Sequence, residues 1–180
     1  LRALLPDTAL QSQIAIPGCI TLRGDGRWQQ GRITASTALG VGTGRLSLSG
    51  TFDAARKEYE ALLRCDSFPL GRFLPADSLG RLDLSIEAGG RGFDPLDETT
   101  RASLRSDLAR AEYRGRDLGG ISLEARLEEC RLAGLLASHN EALRLAWRLD
   151  GALSQAGQRL RIAGDVASFD LAALGLTPDS

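Results

Sequence analysis

Strict alternation of apolar and polar side chains is the feature of this sequence that most restricts its fold. In residues 143–153 the odd-numbered and even-numbered positions differ sharply in polarity. The odd-numbered positions carry Leu143, Leu145, Trp147, Leu149, Gly151 and Leu153, and the even-numbered positions include Arg144, Arg148 and Asp150. Because successive side chains of a β-strand point to opposite faces, this pattern predicts a strand with one apolar and one polar face.

The same alternation recurs in further stretches that are separated by turn-like segments. They are Leu46-Leu48-Phe52, Tyr59-Ala61-Leu63-Cys65, Leu82-Leu84-Ile86-Ala88, Ile121-Leu123-Ala125-Leu127 and Leu160-Ile162-Gly164-Val166. Asp25-Gly26 is a favourable dipeptide for a two-residue hairpin turn and is predicted to end the first strand. Residues 101–113 also fit a helical stripe, but their context favours a strand. About ten mainly antiparallel strands are therefore expected.

An internal repeat is indicated by a shift of 101 residues, which places Ile20 on Ile121 and Phe68 on Phe169. Both copies end in a short apolar segment whose spacing predicts two helical turns. The prediction is therefore a preceding repeat ending in residues 1–8, a first β repeat over 9–78 with a closing helix near 68–74, and a second over 79–180 with a closing helix near 169–175. Both ends are expected to be cuts within a longer protein.

Composition and motifs argue against catalysis and against nucleic-acid binding. The chain has 22 basic and 23 acidic residues and a net charge of −1, so no basic stripe is available for phosphate backbones. Cys19, Cys65 and Cys130 lack metal-binding spacing, and His139 is the single histidine. The expectation is a non-enzymatic protein with no catalytic residue, no metal ligand and no cofactor.

The apolar face of so many strands cannot be covered by two short helices. Two all-β architectures remain open. In a β-sandwich, two sheets would bury each other's apolar faces. In a single curled sheet, the apolar side would stay open as a groove, with the short helices as caps. Periodicity alone does not separate these two.

Several spaced motifs resemble the TamB (translocation and assembly module) family of the AsmA-like superfamily, in its Bacteroidetes-type form. The motifs are Tyr59-Glu-Ala-Leu-Leu, Asp66-Ser-Phe-Pro-Leu-Gly-Arg-Phe-Leu, Asp77-Ser-Leu-Gly, Gly90-Arg-Gly-Phe-Asp-Pro, Ala111-Glu-Tyr-Arg-Gly and Asp170-Leu-Ala-Ala-Leu-Gly-Leu. The resemblance covers residues from about 14 to the end of the chain and rests on glycines and hydrophobic residues, with no catalytic signature.

The resemblance implies a long periplasmic protein of a Gram-negative bacterium, anchored in the inner membrane and reaching the outer membrane, with a taco-shaped β-groove. Family members are held to conduct phospholipid between the membranes, and an outer-membrane β-barrel partner would be contacted through regions outside this segment. The alternative role is a scaffold for assembly or secretion of outer-membrane proteins. A carbohydrate-binding repeat is disfavoured because the chain has only 5 Phe, 2 Trp and 2 Tyr residues.

Under the conduit hypothesis, the inward parity of the strands would line the groove and contact phospholipid acyl chains. The predicted lining residues are Leu46, Leu48, Phe52, Tyr59, Leu63, Leu145, Trp147, Leu149, Leu153, Leu160, Ile162 and Val166.

Overall fold

The computed structural model describes residues 20–73, 79–170 and 173, and these form one sheet of eleven antiparallel strands. The strands are β1 (Ile20–Gln29), β2 (Arg32–Val41), β3 (Gly44–Asp53), β4 (Glu58–Pro69), β5 (Leu79–Arg91), β6 (Arg101–Tyr113), β7 (Arg116–Asp117), β8 (Ile121–Glu128), β9 (Arg131–His139), β10 (Leu143–Ser154) and β11 (Gly157–Phe169). The predicted all-β class is confirmed, and residues 101–113 form a strand as expected.

The sheet is a meander in which each of the ten long strands pairs with the next long strand along the chain. The two-residue strand β7 pairs only with β6, and β8 takes the place beside β6. Substantial contacts join neighbouring strands only, apart from one short turn against β5. The described residues thus form a single curled, open layer and not a β-sandwich. No helix among them combines the length and hydropathy needed to span a membrane.

The first hairpin turn lies further along the chain than the sequence predicted. β1 continues through Asp25-Gly26, and the chain reverses at Gln30 and Gly31, which both have positive φ. The apolar alternation from Ile20 resumes at Trp28, which pairs with Ile33. Pairing of these side chains extends the strand past the Asp-Gly dipeptide, so the predicted turn at that dipeptide is wrong.

The predicted closing helix near residues 68–74 is also wrong in its extent. Phe68 and Pro69 still belong to β4, and only Leu70–Arg72 form a single 3-10 turn. The segment packs tightly against β5, because a Cβ atom at Gly71 would clash with the Leu79 carbonyl oxygen, and this packing restricts a longer helix. The second predicted helix, near 169–175, lies mostly outside the described residues, and its first residue, Phe169, belongs to β11. The segment 1–8 lies wholly outside them.

The predicted repeat has a counterpart in the order of the strands. A shift of 101 residues carries β1 to β4 onto β8 to β11 and keeps each strand's apolar positions on the same face. The strands β5 to β7 have no counterpart. The predicted boundary after residue 78 lies between β4 and β5, which are paired directly, so the sheet runs continuously from the first predicted unit into the second.

A small buried core lies at one end of the sheet. It consists of Val41, Cys65 and Phe68, and the ring of Phe68 stacks on Phe73 with centroids 5.0 Å apart. Leu70 of the 3-10 turn packs against the same cluster. The turn therefore covers the apolar side of β3 to β5 at this end, and most other apolar side chains remain partly exposed.

We expect Phe68→Ala to lower the free energy of unfolding by about 3–4 kcal/mol, because it leaves a cavity under the 3-10 turn. Phe169→Ala is the matched control: Phe169 is the repeat-equivalent residue but is 59% exposed, against 4% for Phe68. Its replacement should cost less than about 1 kcal/mol. Urea denaturation followed by circular dichroism measures both, and equal losses would contradict a core confined to this end.

Candidate functional site

The candidate site is one face of the sheet, on which all twelve predicted lining residues lie. Directly paired residues of neighbouring strands share a face. Leu48 pairs with Leu63, and Leu149 pairs with Ile162. The cross-strand row that joins the two groups consists of Leu63, Ile86, Ser106, Leu123, Leu136 and Trp147. Two distant parts of the sequence thus contribute to one continuous surface, which we call the apolar face.

Charge separates the two faces of the sheet. On the ten long strands, no Asp, Glu, Lys or Arg residue is in register with the apolar face. The opposite side, which we call the polar face, carries the charged side chains, including the ion pairs Arg105–Glu124 at 3.4 Å and Arg101–Glu128 at 3.2 Å. An uncharged surface of this extent requires no desolvation of a charge when an apolar molecule binds.

Among residues 20–73, 79–170 and 173, no second layer covers most of the apolar face. Leu48 is 48% exposed, Ile162 is 59% exposed and Trp28 is 78% exposed. At the end opposite the core, Phe93 of the β5–β6 loop stacks on Tyr59 with centroids 5.5 Å apart. Aromatic contacts therefore cover each end locally, and the surface between them is accessible along its length. Large accessible apolar surfaces of this kind mark binding sites.

A row of small residues forms a trough across the apolar face of β1 to β5. Its floor consists of Gly26, Ala35, Gly50, Ala61 and Ala88, which pair in succession. Most positions two residues to either side carry larger side chains and form the walls, although Gly24 and Gly90 leave gaps at the two ends. The wall rows lie about 13 Å apart, because a strand rises about 3.3 Å per residue. A depression of about 310 Å³ lies in this trough, lined by residues that include Ile33, Leu48, Gly50, Phe52 and Ala61.

Two large aromatic side chains lie flat against glycines of the next strand on the apolar face. A Cβ atom on Gly90 would lie 2.9 Å from Cζ of Tyr59, and one on Gly164 would lie 2.5 Å from Cδ1 of Trp147. The glycines thus make room for the rings, which lie low and keep the apolar surface smooth. This accounts for the low exposure of Trp147, 38%, on a face that the described part of the chain leaves largely uncovered.

The polar face has a depression of its own, of about 700 Å³, across β2 to β6 and β8. Its lining is mixed, with Thr34, Ser49 and Leu62 beside the charged Glu87 and Arg105. The sheet is therefore indented on both sides in this region, and the larger indentation is on the polar side. Nothing in the alternation of the sequence indicated it.

The predicted lining leaves out many apolar-face residues, among them Trp28 and Ile33 of the first hairpin. Both were missed because Asp25-Gly26 was taken as the turn, which placed Trp28 outside the first strand. Their cross-strand pairing extends the wall row of Phe52 and Tyr59 to the edge strand β1. The signal that could have identified them is the continued spacing by two from Ile20 and Leu22 to Trp28.

The Cys65 thiol lies in the buried core at one end of the apolar face. Burial raises the pKa of the Cys65 thiol, with the nearby charges of Asp66 and Asp83 adding to the shift, so the thiol stays protonated at neutral pH. In the described part of the chain, no three His, Cys, Asp or Glu side chains are grouped to hold a metal ion. Comparison of the chain with protein-family models, curated proteins and solved structures gives no match.

We expect Leu48→Lys to weaken binding of the apolar dye N-phenylnaphthylamine about fivefold or more, because the substitution replaces an apolar contact by a charge. Ser49→Lys is the matched control, since the neighbouring residue on β3 projects from the polar face. Dye fluorescence titration gives both affinities. Since Leu48 is half exposed, the unfolding free energies of the variants should stay within about 1 kcal/mol of the parent. Equal weakening by the two lysines would exclude the apolar face as the dye site.

Proposed function

We propose that this chain is a non-enzymatic segment of a periplasmic TamB-like protein whose apolar face conducts phospholipid acyl chains between the inner and outer membranes. The observation that carries the proposal is the absence of charge from the apolar face of ten consecutive long strands. A path for acyl chains must be uncharged at every point, because a single unpaired charge in contact with hydrocarbon costs several kcal/mol.

The dimensions of the apolar face suit acyl chains. Neighbouring strands are about 4.8 Å apart, so the ten long strands extend about 43 Å across the sheet and the trough over β1 to β5 extends about 19 Å. One leaflet of acyl chains measures about 15 Å, half of the hydrocarbon core of a bilayer. Each buried methylene contributes about 0.8 kcal/mol wherever it lies. A continuous apolar face therefore retains a chain without fixing it at one position.

The rest of the proposal follows from the family resemblance. The full-length protein would be anchored in the inner membrane, and regions outside this segment would reach a β-barrel partner in the outer membrane. The headgroup would stay in water at the open edge of the apolar face. No cofactor or metal is required, because movement of a lipid along such a surface makes and breaks no covalent bond.

Photo-crosslinking in cells tests the proposal. A photoreactive residue at Leu48 or Leu149 of the full-length protein should capture phospholipid, because both side chains belong to the apolar face. Arg144 and Arg148 are the controls, since they project from the polar face of β10. Mass spectrometry identifies the adducts. Crosslinks from Leu48 and Leu149 to protein alone would mean that the face is covered, and the conduit proposal would fail.

A second candidate function is a scaffold that binds outer-membrane polypeptides by strand addition. It is favoured by the edge strands: among the described residues, β1 and β11 each pair with a neighbour on one side only. β11 is 13 residues long and exposed along nearly its whole length. An unpaired edge of this length presents backbone groups to which another strand can add.

A charge on the apolar face separates the two candidates. We expect Leu149→Glu to abolish lipid crosslinking at Leu48 in cells, because the carboxylate interrupts the apolar path. Strand addition at β11 uses backbone groups, so Leu149→Glu should leave the assembly of outer-membrane proteins unchanged. Arg148→Glu controls for the added negative charge on β10. Loss of assembly with retained lipid capture would favour the scaffold over the conduit.

A further inference from the structure

One charged residue does lie on the apolar side of the sheet, in the short strand β7. Tyr113 is on this side, because it lies two residues beyond Ala111, which pairs with the apolar-face residue Leu82. Arg116 pairs directly with Tyr113 and therefore shares its face. Among the described strand residues, Arg116 is the only charged one on this side. It lies beside β6 and in line with β8, at the same end of the sheet as the buried core.

The guanidinium of Arg116 is partly desolvated and has an unused donor. Its Nη1 atom is buried and has no hydrogen-bond partner among the described residues. Arg116 also takes no part in the ion pairs of the described residues, which join Arg101, Arg105 and Arg110 to acidic residues of the polar face. A buried, unpaired guanidinium donor is costly to leave unsatisfied. An acceptor for it is therefore missing from the described structure.

The nearest acidic side chains on the same hairpin are engaged elsewhere. Glu112 and Asp117 pair with each other on the polar face. Glu112 Oε2 accepts a hydrogen bond from the Arg81 backbone N–H at 3.0 Å, and Asp117 Oδ1 accepts from the Ala111 N–H at 3.1 Å and the Gly119 N–H at 2.9 Å. Both carboxylates thus face away from Arg116, and neither neutralises it.

The hairpin holds Arg116 in a fixed position. Arg114 and Gly115 form its two-residue turn, both with positive φ, which is the backbone form that suits a tight hairpin. The Arg114 guanidinium lies over the Tyr113 ring, 5.4 Å from its centroid. Arg114 is exposed, so it offers a second cation at the same end that differs from Arg116 mainly in burial.

We propose that Arg116 binds the phosphate of a phospholipid whose acyl chains lie on the apolar face over β8 to β11. Arginine presents paired N–H donors that match phosphate oxygens, and it keeps its charge when partly buried. The inference rests on the proposed function and adds a headgroup-binding site to it. At this site, at the core end of the sheet, Arg116 holds the headgroup while the acyl chains contact Ile121, Leu123 and Trp147. The Arg116 donor is then satisfied by the lipid.

Matched lipids test this inference on the purified chain. The ligands are a short-chain phosphatidylglycerol and the diacylglycerol with the same acyl chains, both brominated in those chains. Trp28 and Trp147, the two tryptophans of the sequence, both lie on the apolar face, so quenching of their fluorescence reports occupancy. The parent chain should bind phosphatidylglycerol about tenfold or more tightly than the diacylglycerol, as expected for a charge-assisted contact.

Arg116→Gln should remove this preference by weakening the phospholipid about tenfold while leaving diacylglycerol affinity unchanged. Arg116→Lys, which keeps the charge, should restore part of the preference, and Arg114→Gln should retain all of it. Thermal unfolding shows whether the variants fold. If Arg116 instead neutralised a carboxylate of its own chain, Arg116→Gln would lower the unfolding midpoint and leave the lipid preference intact, which would overturn the inference.

The outcomes separate this inference from the proposed function. Binding of both lipids with equal affinity, unaffected by Arg116→Gln, would refute the role of Arg116 and leave the apolar face as a lipid site. Failure of both lipids to quench would refute the proposed function itself. Inorganic phosphate is the remaining probe. If millimolar phosphate competes with the phospholipid while the chain shows no preference for phospholipid over diacylglycerol, the site binds free phosphate and the lipid assignment is overturned.

Discussion

The cross-strand register is the constraint on which the rest of this structure depends. Side chains alternate with a period of two, so a slip of one residue between any two strands would move all further apolar side chains to the polar face. Register changes occur between β4 and β5, between β5 and β6, and between β10 and β11. At the first of these, Ser67 adopts a positive φ and its N–H donates to the Asp83 carboxylate, and Phe68 returns to the apolar face. A β-bulge there absorbs the extra residue without inverting the faces.

The same period governs how the two copies of the repeat differ. Leu46 pairs with Cys65, whereas its repeat equivalent Trp147 pairs with Gly164 and not with Val166, the equivalent of Cys65. The register of the second copy is therefore displaced by two residues. An even displacement keeps every side chain on its face, while an odd one would put charges among the apolar residues. Between these two equivalent hairpins, the difference of two residues in length therefore keeps the apolar face continuous.

Alternation predicted the strands, their antiparallel pairing and the common face of the twelve lining residues, because each of these follows from a period of two. It failed where a local preference competed with pairing, as at Asp25-Gly26, where the apolar residues beyond the dipeptide extended β1. It also overestimated the helix at Phe68, where tight packing of Gly71 on β5 leaves room for one 3-10 turn. The choice between one layer and two, the small-residue trough and the position of Arg116 depend on which strands become neighbours, and no local pattern encodes that.

The contrast between Phe68 and Phe169 shows how a single-layer sheet acquires stability. The two residues are repeat equivalents, yet Phe68 is buried under a 3-10 turn beside β5, and Phe169 is exposed on β11, which has no outer neighbour among the described residues. Burial in such a sheet is therefore supplied by the next strand and its connecting turn, as in repeat proteins where each unit is stabilised by its neighbours. Away from these turns the apolar residues stay accessible, so the geometry that limits the core is also what leaves a long uncharged surface open to an apolar ligand.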